Sequence, residues 1–401
     1  MIPYLTTVTP SYRGFLTRFM FHGLLEDLSP SIAHASIDEQ WPAFCKFEQL
    51  CALVRSELLP KTPNFPGITG VSGRYRNEEI TIGSETQYWL VRSQKNTGYW
   101  GYYHQASLGS GLLQTNKAAR PGYRLSDEAL EQYRKSDLPR LMDEYRPILM
   151  ELLTTNRVLN VGLGEFSGLA ELFASMPLDG RNPEWGSYWQ QHLLIPTSRT
   201  DRALPAATLA AFAREVQAIT KDAPGLSVGE VWGALASQDR DAAIKQFADK
   251  VAATEAVIGL CEWVFDACRV RLEDNRLSET VKWASENGYS ADWLDRLRDL
   301  DKPESPELLR FRTIALEGGN TFEVLAKALL RRHKEVMNTR NGPAWVELEG
   351  DQLNIRDPSE PPWLPDFETS QRGVRWRYDY FLGSWLSIGR EIGYLPERAN
   401  G

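Results

Sequence analysis

Cysteine is scarce in this chain, and its spacing indicates no special role. The 401 residues contain four cysteines, Cys45, Cys51, Cys261 and Cys268. This number is too small for a disulfide framework in a chain of this length, and the spacings match no zinc-binding motif. The pattern predicts buried free thiols in a reducing compartment, and we therefore expect a cytoplasmic protein.

Motifs for metal, nucleotide or nucleophile chemistry are also lacking. None of the five histidines stands at metal-binding spacing from another histidine or a cysteine. Gly162, Gly164 and Gly168 follow a short apolar stretch, but they do not form Gly-x-Gly-x-x-Gly, and no Gly-Lys-Ser/Thr follows. A Gly-x-Ser-x-Gly elbow is absent as well. The sequence predicts no cofactor and no metal, and it favours a protein that is not an enzyme.

Long apolar runs are missing from the sequence. No segment reaches the roughly 18 consecutive apolar residues that a membrane-spanning helix requires. The first residues lack a charged stretch followed by an apolar one, so no signal peptide is predicted. We therefore expect no membrane partner.

Charge is unevenly distributed along the chain. The net charge is -8, but residues 1–150 carry a net +1, and the remainder carries -9. With 42% hydrophobic and 24% charged residues, the composition is that of a folded globular protein. An acidic total argues against a whole-molecule nucleic-acid coat, while it leaves room for a local basic patch.

Helical spacing of apolar residues dominates the chain, and it predicts a mainly α fold with short β elements. Helices are expected at residues 12–28, 38–59 and 239–272, and a hairpin is expected around Gly350. We predict a helical domain with a winged-helix-like module at residues 1–180. A second helical domain with the hairpin is expected at 181–357, and a Pro-rich linker with a terminal aromatic helix at 358–401.

The stretch from residue 67 to residue 133 is the most informative part of the sequence. From Lys61 to Arg124 there are eight Lys/Arg residues, three Glu and no Asp. Its second half has the pattern of the end of a winged helix. A short apolar helix is expected at residues 108–113, followed by a basic turn at 114–121, a strand at 123–125 and a helix capped by Ser126.

Basic residues in this stretch are the predicted nucleic-acid contacts. A wing holds Lys and Arg side chains where they can reach phosphates. The predicted nucleic-acid-binding residues are Arg74, Arg76, Lys117, Arg120 and Arg124. The alternative is a structural hairpin in a module that contacts proteins.

Two other basic clusters suggest contacts with partners. In the C-terminal segment, Arg375 and Arg377 flank Trp376, a combination typical of binding hot spots, so these three are predicted to contact a protein partner. The alternative is that a terminal helix docks there on the core. At residues 331–335, basic side chains around His333 indicate either a solvated helix end or a second contact for an anionic ligand, joined by Lys334 and Arg340.

Acidic residues of the second predicted hairpin suggest an enzymatic alternative. Glu347, Glu349 and Asp351 are the nearest approach to a set of carboxylates that could hold Mg²⁺ for a nuclease. No following strand carries Glu-x-Lys or Gln-x-Lys. A metal-dependent nuclease is therefore an alternative hypothesis.

Three segments resemble a loosely defined group of bacterial proteins found among genes of mobile elements and anti-phage defence. They are the opening Tyr-Leu-Thr-Thr-Val-Thr-Pro-Ser-Tyr-Arg-Gly-Phe at 4–15, Gly-Ile-Thr-Gly-Val-Ser-Gly-Arg at 67–74, and Arg-His-Lys at 332–334 followed by Gly-Pro-Ala-Trp-Val-Glu-Leu-Glu-Gly-Asp at 342–351. The resemblance implies a subunit of a multi-protein bacterial system. It implies no functional residue.

The leading hypothesis is a non-enzymatic subunit of such a system, with a role in phage defence or in a mobile element. It contacts nucleic acid, with DNA favoured, and its acidic helical half positions other subunits, for example an ATPase or a nuclease. The alternative to nucleic-acid contact is a protein–protein scaffold or adaptor.

Overall fold

A computed structural model describes most of the helical part of the chain. The residues that it describes are 9, 11–58, 75–76, 79–116, 121–136, 138–155, 158–162, 183–195, 206–236, 242–287, 289, 306–317, 322–340, 342–358 and 382–397.

The protein is mainly helical, as the sequence predicts, and its strands are short. The helices are α1 (Tyr12–Leu28), α2 (Pro30–Ala33), α3 (Ile37–Leu58), α4 (Gln94–Thr97), α5 (Tyr99–Tyr102), α6 (His104–Gly109), α7 (Asp127–Lys135), α8 (Leu138–Asp143), α9 (Arg146–Thr154), α10 (Pro183–Trp189), α11 (Ala206–Asp222), α12 (Val228–Leu235), α13 (Ala242–Ala267), α14 (Leu277–Glu286), α15 (Pro306–Glu317), α16 (Phe322–Thr339) and α17 (Leu382–Glu391). The strands are β1 (Tyr75–Arg76), β2 (Glu79–Ile82), β3 (Leu113–Thr115), β4 (Tyr123–Leu125), β5 (Leu159–Gly162), β6 (Val346–Glu349) and β7 (Gln352–Ile355).

Contacts divide the chain into two compact units. The first unit comprises Met1–Gly225 together with Tyr380–Gly401, and the second comprises Leu226–Asp379. The predicted boundary at residue 180 lies outside the described residues. So does most of the predicted linker, since residues 359–381 are among those not described.

Helix α1 is the centre of the first unit, and it has the predicted bounds. It is apolar on every side, which is the pattern of a helix that is surrounded by protein. Its small residues allow aromatic rings to approach closely. A Cβ atom on Gly14 would lie 2.2 Å from the ring of Tyr103, and one on Gly23 would lie 2.4 Å from the ring of Tyr133. Side chains at either glycine would therefore displace these packed rings.

The terminal helix α17 belongs to the first unit. Trp385 is fully buried, and its indole N–H donates to the carbonyl oxygen of Leu194 at 3.2 Å. Glu391 accepts hydrogen bonds from the hydroxyl of Ser11, which caps α1, and from the backbone N–H of Tyr12 at 2.9 Å. A carboxylate at a helix N-terminus stabilises the unpaired N–H groups there. A helix therefore does dock at residues 382–391, while Arg375, Trp376 and Arg377, for which such docking is the alternative to a partner contact, lie outside the described residues.

A sheet of three antiparallel strands belongs to the first unit. Strand β2 lies in the middle, with β1 on one side and β5 on the other. The pairing of Ile80 with Val161 sets the register between β2 and β5. The apolar stretch that ends at Gly162 is thus a strand.

The second unit packs helices around α13 and α16. Trp263 and Val264 of α13 are fully buried, as is Leu325 of α16. The predicted hairpin is confirmed as β6–β7, and Gly350 at its turn has a φ of 64°, a conformation that favours glycine. The four cysteines are buried free thiols, as predicted.

No helix within the described residues is both long enough and apolar enough to span a membrane.

Candidate functional site

The β3–β4 hairpin forms where the sequence predicts a wing. Leu113 pairs with Leu125 and Thr115 with Tyr123. The backbone N–H of Asn116 then donates to the carbonyl oxygen of Gly122 at 3.0 Å, so the hairpin continues to that pair. We call residues 116–122 the hairpin tip. It contains Lys117 and Arg120, which lie outside the described residues.

The elements around the hairpin differ in part from a winged helix. The predicted helix at 108–113 is wrong in its bounds, because the helix ends at Gly109 and Leu113 is already in β3. Gly111 has a φ of 75°, which turns the chain from the helix into the strand. The predicted strand at 123–125 and the Ser126 cap are confirmed, and the Ser126 hydroxyl accepts from the backbone N–H of Ala129 at 3.1 Å.

A buried glutamine anchors the hairpin to the first helices of the unit. Gln40 of α3 is fully buried, and its side-chain oxygen accepts from the backbone N–H of Tyr123 at 2.8 Å. Its side-chain nitrogen donates to the carbonyl oxygens of Tyr123 at 2.8 Å and Ala33 at 3.0 Å. The amide therefore pairs with Tyr123 as a neighbouring strand would, and it joins β4 to the end of α2.

An asparagine anchors the tip itself. The side-chain nitrogen of Asn116 donates to the carbonyl oxygen of Ala35 at 2.7 Å, and its side-chain oxygen accepts from the backbone N–H of Gly122 at 2.9 Å. A Cβ atom on Gly122 would lie 2.3 Å from the carbonyl oxygen of Ala35, so only glycine fits there. Asn116 thus joins the first end of the hairpin tip to Ala35 and to Gly122 at the second end.

Arg124 lies at the base of the hairpin, away from the tip. Its guanidinium forms an ion pair with Asp127 at 3.1 Å, and Gln114 donates to the same carboxylate at 3.2 Å. The side chain of Asp127 is 85% exposed. An exposed pair of this kind stabilises the fold by at most about 1 kcal/mol, so a phosphate could displace it.

One more predicted nucleic-acid contact, Arg76, stands at the start of the first sheet. Arg76 is in β1, and its Cα is paired with that of Glu79 in the neighbouring strand. Arg74 lies outside the described residues. The structure thus describes two of the five predicted nucleic-acid contacts, and Arg375, Trp376 and Arg377 also lie outside the described residues.

A buried arginine lies directly beneath the hairpin. Arg18 of α1 is fully buried, and its guanidinium carbon is 4.9 Å from the ring centroid of Trp100 and 6.0 Å from that of Tyr123. One terminal nitrogen donates to the carbonyl oxygen of Trp100 at 2.6 Å. The remaining two nitrogens find no hydrogen-bond partner among the residues that the structure describes. Burial lowers the pKa of Arg18 to about 9.

Glu48 of α3 is the buried carboxylate near this arginine. It accepts hydrogen bonds from the side chain of Gln94 at 2.7 Å and from the backbone N–H of Tyr99 at 2.5 Å. Burial raises the pKa of Glu48 to about 7, although both hydrogen bonds and the charge of Arg18 act in the opposite direction. The desolvation of a fully buried carboxylate therefore outweighs its local stabilisation.

Two histidines near Arg18 are held neutral. Burial, and then the charge of Arg18, lower the pKa of His22 well below its usual value. The same two causes lower the pKa of His104 to about 4, and its ring nitrogen is 3.2 Å from the hydroxyl of Tyr123. We use the name charged core for five neighbouring side chains, those of Arg18, Glu48, His22, His104 and Tyr123. Because Tyr123 belongs to β4 and contacts Arg18 and His104, the charged core packs against the hairpin.

The second hairpin uses its carboxylates in hydrogen bonds. Glu347 forms ion pairs with Lys334 at 2.9 Å and Arg356 at 2.6 Å, and these contacts lower its pKa. Asp351 accepts from the backbone N–H of Ser278 at 3.0 Å and from its hydroxyl at 2.6 Å. Within the described parts of the chain, no three His, Cys, Asp or Glu side chains are grouped so that they could hold a metal ion.

The charged core was not predicted from the sequence, although a signal for it exists. Arg18 is a charged residue in a helix that is apolar on all sides, so its side chain has no exposed face to occupy. Glu48 stands in the same way within an apolar segment of α3. Their proximity depends on how the two helices pack, and no local pattern shows it.

Comparison of the chain with protein-family models, with curated proteins and with solved structures finds no match.

Proposed function

We propose that the protein contacts nucleic acid, with DNA favoured, through the hairpin tip and Arg124, as a non-enzymatic subunit of a multi-protein bacterial system. The observation that carries the proposal is the anchoring of the hairpin by Gln40 and Asn116. Asn116 and Gly122, which flank the segment with Lys117 and Arg120, are held by hydrogen bonds, so these two flanking residues lose little further backbone entropy on binding.

The charge around the hairpin is consistent with phosphate contact at its tip. Asp127 and Glu128, both exposed, follow the hairpin at its base. A strand rises about 3.3 Å per residue, so three residues of β4 separate these acids from the tip by about 10 Å. That distance is close to the screening length of about 8 Å at physiological salt, so the acids weaken the field at the tip only partly.

Arg124 has a different expected role from the two tip residues. Binding of a phosphate there must displace Asp127. We therefore expect Lys117 and Arg120 to contribute more affinity than Arg124, and Arg74 and Arg76 to extend the contact along the nucleic acid. Each phosphate contact contributes about -0.9 to the slope of log K against log salt concentration on duplex DNA.

The test is binding of a labelled duplex, measured by fluorescence anisotropy from about 50 mM to about 200 mM salt. The triple variant Lys117→Glu, Arg120→Glu, Arg124→Glu should lose binding, or retain a weak affinity whose salt slope is shallower by about 2.7. The triple variant Lys245→Glu, Lys282→Glu, Lys327→Glu changes the total charge equally, at side chains in exposed helical ion pairs, and should bind as wild type does.

Two results would contradict the proposal. Unchanged affinity of the hairpin variant would exclude these residues as the contact. An equal loss in both triple variants would show that only the total charge matters. If wild type itself shows no salt-dependent binding to a duplex but co-purifies with other subunits, the scaffold alternative is the better account.

A further inference from the structure

Trp345 is an exposed tryptophan in a fixed position in the second unit. It is 43% exposed, and it precedes β6. Its backbone N–H donates to a ring nitrogen of His333 at 2.9 Å, and its carbonyl oxygen accepts from the backbone N–H of Arg356 at 2.8 Å and of Asp357 at 3.1 Å. Three hydrogen bonds thus fix the backbone of Trp345, although its large apolar side chain stays partly in solvent. Such a fixed, exposed ring is typical of a binding site.

Two side chains determine how the ring is presented. The guanidinium of Arg269 lies 5.0 Å from the ring centroid, and Arg269 is itself held by ion pairs with Asp266 at 3.1 Å and Asp357 at 2.7 Å. The ring of His333 lies 5.3 Å from that of Trp345. We call Trp345, Arg269 and His333 the Trp345 platform.

The state of His333 agrees with this geometry. Burial lowers the pKa of His333, and the charges of Arg269 and Arg340 lower it further. A neutral imidazole can accept the hydrogen bond from Trp345, whereas an imidazolium has no free acceptor. The platform is therefore formed at neutral pH.

Positive charge lies next to the platform. Arg340 is exposed, close enough to affect His333, and it forms no ion pair within the part of the chain that the structure describes. Lys334 and Arg356 share the carboxylate of Glu347, which leaves a net charge of +1, and Arg269 with Asp266 and Asp357 leaves -1. Together with Arg340, the groups around the ring therefore keep one net positive charge. An aromatic ring beside such cations matches a base and its adjoining phosphate.

We propose that the Trp345 platform binds an unpaired base of a single-stranded nucleic acid. The adjoining phosphate is contacted by Arg340, Lys334 and Arg356. Stacking requires an unpaired base, because bases in a duplex are already stacked on each other. This site lies in the second unit and does not depend on the hairpin tip, so the two proposals can fail separately.

The test is binding of a labelled oligodeoxythymidine of about 12 nucleotides to the full chain, measured by fluorescence anisotropy at low salt. Trp345→Ala should weaken binding by about 5- to 140-fold, the range expected for loss of one stacked base. Trp345→Phe keeps a stacking surface and should recover most of the affinity. Val324→Ala, which truncates another exposed apolar side chain of the second unit, should bind as wild type does.

Two further probes separate stacking from other effects. An oligomer of abasic nucleotides should bind wild type and Trp345→Ala equally, and so should a duplex, while Arg340→Glu should weaken binding of both single-stranded probes.

Equal binding of oligodeoxythymidine by wild type and Trp345→Ala would overturn the proposal. So would an equal loss for oligodeoxythymidine and abasic oligomer in that variant. Duplex binding by the Lys117→Glu, Arg120→Glu, Arg124→Glu variant tests the contact at the hairpin tip and not the Trp345 platform. Circular dichroism and thermal unfolding check that each variant is folded.

Discussion

The β3–β4 hairpin and the β6–β7 hairpin are both short, and different interactions hold them in place. Buried neutral amides, those of Gln40 and Asn116, fix the first to the backbone of its unit. The second is fixed by carboxylates, with Glu347 bound to two exposed cations and the exposed Asp351 bound to Ser278. Buried amide hydrogen bonds are costly to break and insensitive to salt, whereas exposed ion pairs are weak and screened.

This difference between the two anchors agrees with the different ligand contacts that we propose for the two hairpins. A hairpin that contacts phosphates through its own cations needs an anchor that the phosphates cannot compete for, and neutral amides provide one. At the second hairpin the contact is an aromatic ring, and the charged groups around it leave a small positive excess.

Removal of the Gln40 side chain should have the largest effect on stability. In Gln40→Leu, the backbone N–H and carbonyl groups of Tyr123 lose their partner in a buried place. Each unsatisfied group costs about 1–3 kcal/mol, so the loss for two groups should lower the free energy of unfolding by about 2–6 kcal/mol, at low and at high salt alike. Urea unfolding measures this. Gln105→Leu, at an exposed position, is the control, and an equal loss in both variants would show that Gln40 does not act as an anchor.

The free energy of unfolding should depend on pH because of Glu48 in the charged core. The pKa of Glu48 is raised from 4.5 to about 7, so the folded state binds a proton more tightly than the unfolded state. The unfolding free energy of wild type relative to Glu48→Gln should therefore fall as pH rises from 4.5 through 7, by up to about 3 kcal/mol. Arg18, His22, His104 and Tyr123 are present in both proteins, so their own titrations largely cancel in this difference. A difference that stays constant between pH 4 and about 8 would contradict the assignment.

Freeing Arg124 should strengthen binding modestly. In Asp127→Asn the guanidinium loses its ion pair, and a negative charge next to the hairpin disappears. An exposed pair is worth at most about 1 kcal/mol, so duplex affinity should rise by up to about fivefold at low salt. The same anisotropy assay measures this. Glu131→Gln removes an equal charge one turn further along α7 and should have a smaller effect.

The smallest effect is expected at the second hairpin. Glu347→Gln removes two ion pairs with exposed cations, and should lower the free energy of unfolding by less than about 1 kcal/mol. The loss should shrink further in about 1 M salt, where the screening length is about 3 Å. Glu349→Gln on the same hairpin is the matched control. A salt-independent loss at Glu347 would remove the distinction between the two hairpins.

The sequence predicts local structure well where local chemistry determines it. The bounds of α1, the Ser126 cap and the turn at Gly350 follow from helical periodicity, capping and left-handed backbone preference, and the structure has them. Helix α6 ends earlier than the sequence predicts, because Leu108 and Leu112 stand at helical spacing in the sequence while Gly111 turns the chain between them. The pairing of Gln40 with Tyr123 connects residues 83 positions apart, so no local pattern could indicate it.

Amide hydrogen exchange on the full chain, with and without a DNA duplex at low salt, tests the central claim most directly. The account predicts that the duplex slows exchange in the segment 113–125 of wild type, and that this protection is absent in the Lys117→Glu, Arg120→Glu, Arg124→Glu variant. Protection confined to other segments, or equal protection of 113–125 in both proteins, would show that the anchored hairpin is not where the nucleic acid binds.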